Sequence, residues 1–172
     1  MGLGLIGGSL AKAYKSAGEH RVLGLDADRS VMGIAVLAGA ADGELTDEAV
    51  SECDLILIAI YPVAAIEYME RIAPLVRKDA LVIDCCGTKR TVCEAGFRLA
   101  KEYGFTYAGG HPMAGTHNSG FGYSRADLFK GASMVIVPPE FDDIMLYERI
   151  KETLLPAGFG AISVTTADTH DA

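Results

Sequence analysis

The chain has 172 residues, of which 50% are apolar, 22% charged and 8% aromatic, and a net charge of −8. A chain of this length makes one domain, buries roughly 70% of its unfolded surface and needs no covalent staple. It is too apolar for disorder and lacks the glycine period of a fibre. Its longest apolar run, residues 55–66, falls short of the ~18 residues of a membrane span, and its acidic balance offers nucleic acid no basic face. Neither a membrane nor a nucleic-acid partner is expected. A small anionic substrate, held by a few local groups, is compatible with the charge.

From the N-terminus, residues 5–17 read as a helix, 21–26 as a strand, 30–38 as a helix, 54–60 as a strand, 62–76 as a helix and 80–84 as a strand. A helix at 88–103, strands at 105–108 and 132–137, a helix at 142–155 and a strand at 161–165 complete the series. Ser30 and Thr88 are the expected N-caps, and Gly18, Gly39 and Gly104 stand where helices should stop. The run Leu55-Ile56-Leu57-Ile58-Ala59-Ile60 is continuously apolar, the pattern of a parallel strand covered on both faces. The β-α alternation predicts a doubly wound α/β domain over residues 1–172, with a mostly parallel sheet and helices on both faces. Residues 109–131 break the rhythm. No strand or long helix is expected there, and a loop of that length in a compact domain usually carries function.

Cys53, Cys85, Cys86 and Cys93 contain no C-x-x-C and read as core filler in a reducing compartment, which points to the cytoplasm. The apolar first eleven residues have Lys12 after them and no basic residue before them, the wrong polarity for a signal peptide. Ile6 stands where a myristoylation signal needs Ser or Thr.

Gly2, Gly4 and Gly7 form G-x-G-x-x-G: the first for a tight turn, the second for close approach of a pyrophosphate, the third for helix packing on the sheet. The amides of Leu5 and Ile6, opening the following helix, would face the pyrophosphate. With 20 glycines in the chain the triplet alone is weak, at roughly 0.26 chance matches. Asp26, at the end of the next strand, is the expected partner of the adenine ribose hydroxyls. Asp26 and Asp28 would repel a 2′-phosphate, so NAD is expected ahead of NADP, with Arg29 the residue that argues the other way. The plain alternative for Asp26 is a turn aspartate. A strand should precede this fingerprint, so the natural chain is expected to begin several residues ahead of Met1, with the central strand there.

Ligands of an open parallel sheet bind beyond the carboxyl ends of its strands. Five segments follow predicted strands: the glycine loop, Asp26, Tyr61-Pro62, Cys85-Cys86-Gly87-Thr88-Lys89 and Gly109-Gly110-His111-Pro112. Tyr61, Pro62, Cys86 and Gly87 are thereby candidates for the cofactor, although Tyr61-Pro62 reads equally well as a turn with Pro opening a helix. His111 is the candidate catalytic residue, because an imidazole titrating near ~6.5 can take a proton from a hydroxyl during hydride transfer. The alternative is a structural histidine bonded to backbone. His111 and His117 lack the third ligand and register of a metal site, so no metal is expected. His20 reads as solvated, and His170 with Asp171 cannot be placed by pattern.

The segments Gly2-Leu3-Gly4-Leu5-Ile6-Gly7-Gly8-Ser9-Leu10-Ala11, His111-Pro112-Met113-Ala114-Gly115-Thr116 and Ser119-Gly120 together resemble the prephenate/arogenate dehydrogenase family of tyrosine biosynthesis. Ala126-Asp127-Leu128-Phe129 and His170-Asp171 extend the resemblance over the whole chain. It implies a Rossmann-type fold and NAD-dependent oxidative decarboxylation of prephenate to 4-hydroxyphenylpyruvate, with arogenate as the alternative substrate. The family histidine that bonds the substrate hydroxyl matches His111. Thr116 and Ser119 fall in the family's motif and become candidate substrate contacts. The family's usual Gly-Ser-Val-Lys is Cys86-Gly87-Thr88-Lys89 here, so its serine is replaced by Gly87 and Thr88 is the candidate to supply a hydroxyl. His117 stands where relatives often carry Glu. Relatives also have a helical dimerisation domain after His170-Asp171, which makes this chain the expected cofactor-binding half of a homodimer, with little turnover by itself. Two other readings compete: a reductase of 3-hydroxy or sugar acids, which would need a lysine from a second domain, and a non-catalytic NAD-binding sensor module.

Overall fold

The computed structural model describes residues 1–172. In chain order the main elements are α1 (Leu5–Ser16), β1 (Leu23–Gly24), α2 (Arg29–Leu37), β2 (Gly43–Glu44), β3 (Leu55–Ile58), α3 (Pro62–Ile72) and β4 (Leu81–Asp84). They continue with α4 (Arg90–Tyr103), β5 (Thr106–Pro112), β6 (Ser133–Val137), α5 (Ile144–Leu154), β7 (Ala161–Val164) and α6 (Ala167–His170). Each element anticipated from the sequence is present with shifted ends; β2, α6 and the short 3-10 turns, such as Glu48–Glu52, are additional.

Strands β3 to β7 form one sheet in chain order, and β1 pairs with β2 in a second. β3, β4 and the first half of β5 are parallel, whereas β6 runs antiparallel to β5 and β7 follows β6. The two sheets meet through the N-terminus. Gly2 donates to Leu25 O at 2.7 Å on one side, while Met1 donates to Leu57 O and accepts from Ala59, both at 2.8 Å, on the other. From that bridge a groove of about 590 Å³ runs on between β1 and β3, lined by Leu10, Tyr14, Leu23, Leu55 and Leu57 among others.

The sheet is covered on both faces, which makes it doubly wound. Ile56, Ile58 and Val82 pack against α3 through Ala65, Tyr68, Met69 and Ile72, and against α4 through Val92 and Leu99. Leu81, Ile83, Met134 and Ile136 pack on the opposite face against Leu146, Ile150 and Leu154 of α5. Every residue of β4 is buried, whereas β3 alternates, because Leu55 and Leu57 border the groove. The continuous apolar run therefore reported a parallel strand correctly but overstated how fully β3 is covered.

The caps differ from expectation. Asp28, not Ser30, opens α2, its carboxylate accepting from Ser30 N at 2.9 Å. α4 starts at Arg90 after Lys89, and no side chain local to Thr88 caps it. Instead the carboxylate of Asp171 accepts from Lys89 N and Arg90 N at 2.9 Å each, a cap delivered from 81 residues away that no local pattern encodes. Gly18, Gly39 and Gly104 all take positive φ just past their helices, as their positions required.

The segment 109–131 is not one loop. Its first residues continue β5 through Pro112, paired with Met134 to Val137. Gly109 and Gly110 are glycines because a Cβ would strike the Cys93 thiol at the first and the Asp84 carbonyl at the second, not because the chain turns there. Its far end is packing: Phe129 is fully buried beside Leu10 and Tyr14, and Arg125 N donates to Ser9 Oγ at 3.0 Å, docking the segment on α1. Only the stretch from Met113 to Gly120 is a largely exposed connection.

Candidate active site

The glycine loop behaves as the three spacings require. Gly2 sits at φ +83° against the Ala59 carbonyl, and Gly7 packs its α-carbon on the Gly2 carbonyl. Gly4 is different: a Cβ there would meet nothing within 4 Å. It is the N-cap of α1 and carries no side-chain cap, so no side chain near Gly4 takes up the first-turn amides of Leu5 and Ile6. These features fit a dinucleotide phosphate. The contrast predicts that Gly4→Ala folds with an unchanged melting temperature yet weakens NAD binding about tenfold by titration calorimetry, whereas Gly7→Ala destabilises the protein itself.

Asp26 is half-buried at the end of the β1 segment. One carboxylate oxygen accepts from Leu3 N at 2.8 Å and the other from Asp28 N at 2.9 Å. The residue is thus both a turn aspartate and a neighbour of the glycine loop, with lone pairs left for ribose hydroxyls. Arg29 is exposed to solvent and lies 3.7 Å from Glu44. Tyr61 and Pro62 form the entry to α3, with Pro62 at its first position and the Tyr61 ring exposed.

After β4 the chain splits its roles. Cys86 turns inward, its thiol donating to Ile60 O at 3.3 Å, so only its backbone is available to a ligand. Burial pushes the Cys85 thiol up to about 12 and that of Cys93 to about 11, which makes both inert at neutral pH. Gly87 and Thr88 are exposed. The one neighbour a Cβ at Gly87 would have is Nε2 of His111, 3.9 Å away. That places the imidazole and Gly87 on opposite sides of a narrow gap, with room for a side chain.

Lys89, part of an edge segment in the sequence, is fully buried instead. Its ammonium pairs with Asp84 and donates to Gly110 O at 2.5 Å. The other Asp84 oxygen accepts from Tyr107 OH at 2.6 Å and from Gly110 N at 3.3 Å. This cluster ties the ends of β4 and β5 together directly beneath His111.

His111 is half-buried at the end of β5. Its Nδ1 lies 2.9 Å from Nε2 of His170, and His170 Nδ1 lies 2.7 Å from the Asp171 carboxylate. Burial lowers the His111 pKa, and the His170 ring and the Lys89 ammonium push it further the same way. Burial works against the Asp171 carboxylate, yet the Arg90 amide, the His170 ring and the Lys89 amide hold it down to about 2. His111 is therefore a neutral imidazole at pH 7, beside a firmly ionised Asp171. Thr116 spends its hydroxyl on Asn118 O at 3.0 Å, and Ser119 is exposed farther along. Thr116, Ser119 and Thr88 share no hydrogen bond with His111. His170 and Asp171 are the residues of this cluster that sequence reasoning did not place.

Residues 10–162 match the sequence model of the family described as "Prephenate dehydrogenase, nucleotide-binding domain". The prephenate dehydrogenase of Lactococcus lactis is 35% identical over 139 residues, 79% of this chain and 39% of that protein. Among solved structures, Synechocystis arogenate dehydrogenase superposes with a TM-score of 0.85 at 27% identity, covering 98% of this chain and 59% of that one. A. aeolicus prephenate dehydrogenase in complex with hydroxyphenyl propionate and NAD+ gives 0.83 at 25% identity, with 98% and 59% covered. The chain thus spans well under two thirds of the relatives it matches.

Proposed function

The chain belongs to the prephenate dehydrogenase family as its nucleotide-binding domain, and from that premise we propose that it binds NAD and takes part in the oxidative decarboxylation of prephenate to 4-hydroxyphenylpyruvate. The observation that carries this reading is the pairing of an open glycine loop with a neutral imidazole that lies in β5 just past its parallel pairing with β4. Gly2, Gly4, Gly7 and the Leu5 and Ile6 amides would hold the pyrophosphate and Asp26 the adenine ribose. The exposed Tyr61 and the half-buried Pro62, with the backbone of Cys86 and Gly87, would border the nicotinamide end. The Asp26 and Asp28 carboxylates would repel a 2′-phosphate, which favours NAD over NADP, with the exposed Arg29 the residue that argues the other way.

NAD, when bound, supplies the acceptor for the hydride that leaves the hydroxyl-bearing ring carbon. The chain's own part is proton handling. His111 takes the hydroxyl proton as the carbon–hydrogen bond breaks and the oxygen becomes a ketone. The carboxylate then departs as carbon dioxide, its bonding pair moves through the ring onto that oxygen, and His111 returns the proton to give the phenol. Thr88, Thr116 and Ser119 remain candidates for the substrate's remaining polar groups.

A homodimer in the cytoplasm completes the proposal. Four free cysteines and the absence of any helix long and apolar enough to cross a membrane are consistent with that location. A second reading, arogenate as substrate, is favoured by the superposition on the Synechocystis enzyme. Turnover of prephenate and arogenate by the full-length protein, each with NAD and NADP, tests both. NADH and carbon dioxide in equal amounts from prephenate is the expected result; reaction with arogenate alone selects the second reading, and NAD binding without turnover of either favours a sensor module.

A further inference from the structure

We propose that His170 and Asp171 act as a positioning pair for His111, fixing its imidazole with the proton on Nδ1 and a bare Nε2 turned toward Gly87. Asp171, held as a carboxylate, can only accept, so the 2.7 Å contact makes His170 Nδ1 the donor. In the neutral ring His170 Nε2 is then an acceptor, and the 2.9 Å contact makes His111 Nδ1 donate to it. With His170 neutral, each proton assignment leads to the next, and the series ends on a free lone pair at the atom 3.9 Å from the Gly87 Cβ position.

The pair is itself anchored. Asp171 accepts from Lys89 N and Arg90 N at the start of α4, and Arg90 Nε bonds Asp168 of α6 at 2.9 Å. Both side chains of the pair are largely buried, at 11% and 13% exposure. The two imidazoles meet edge to face at 5.1 Å, which limits rotation of the His111 ring. The other charged groups facing His111 are Lys89 and Asp84, from beneath. Neither is hydrogen-bonded to its ring, so His170 alone sets the tautomer. Such an orienting partner typically changes the performance of the group it holds by ~10–100-fold.

The inference rests on the reading of His111 as the proton acceptor, and its test separates the two. Nitrogen-15 spectra of the histidine side chains near neutral pH, on the unaltered chain without ligands, should show His111 carrying its proton on Nδ1. In His170→Phe the proton should shift toward Nε2, and in the full-length protein kcat with prephenate and NAD should fall ~10–100-fold with KM within about twofold. His170→Gln, whose amide can accept from His111 and donate to Asp171, should recover most of the loss. A proton on His111 Nε2 in the unaltered chain overturns the proposal, as does His170→Phe with tautomer and kcat both unchanged. Should His170→Phe fail to fold, the unaltered spectrum and His170→Gln decide. Full turnover by His111→Asn would refute the catalytic reading while leaving the tautomer result standing.

Discussion

Replacing His111 with Asn in the full-length protein should lower kcat by ~10²–10⁴-fold and leave the NAD dissociation constant unchanged. Asparagine keeps a polar group of comparable reach but cannot take a proton at neutral pH, so the loss isolates proton transfer from shape. NAD affinity should hold because the groups assigned to the cofactor, from Gly2 to Asp26, make no hydrogen bond with His111. The pH profile supplies a second signature. An ordinary imidazole titrates near ~6.5, and burial, His170 and Lys89 all push His111 below that. The proton-accepting form is therefore the neutral one, present above the lowered value and lost as pH falls through it. The kcat/KM profile should be flat at neutral pH with an acid limb below ~6.5, and the Asn variant should lose the limb along with the activity. A variant that keeps near-full kcat and an unchanged limb would remove His111 from the chemistry.

What the sequence made legible is what short-range physics controls. The glycine loop, the order of strands and helices and the placing of His111 at a strand end all follow from local pattern, because turn sterics and apolar periodicity act over a few residues. The reading failed where one residue type serves two purposes. Gly109 and Gly110 look like turn glycines but lie in β5, where Cys93 and the Asp84 carbonyl leave no space for a Cβ. Lys89 looks like a surface cation at a ligand edge but is buried on Asp84. The contacts that complete the site were beyond reach because they join distant segments. Asp171 caps α4 across 81 residues and His170 meets His111 across 59. Neither end of such a contact carries a mark of the other, whereas the family resemblance had already flagged His170-Asp171 without saying what it touches.

Replacing Lys89 with Met should cost about 3–5 kcal/mol of stability, lowering the melting temperature by on the order of 10 °C for a domain this size. The methionine fills most of the volume, so the loss is electrostatic rather than a cavity. Asp84 keeps its neutral donors, Tyr107 OH at 2.6 Å, Cys86 N at 3.0 Å and Gly110 N at 3.3 Å, but loses the cation that balances its charge in a fully buried site. The Gly110 carbonyl loses its 2.5 Å donor as well. Arg125→Met, which breaks the exposed Arg125–Asp127 pair, is the control and should leave the melting temperature unchanged, because solvent screens that pair. The effect should also reach the active site. Lys89 is one of the charges that lower the His111 pKa, so without it the acid limb of kcat/KM should move to higher pH. Its Gly110 anchor adjoins His111, so kcat should fall even at temperatures where the variant is folded. If Lys89→Met melts within a degree or two of the unaltered protein, the Asp84–Lys89 pair is not what joins β4 to β5 under His111.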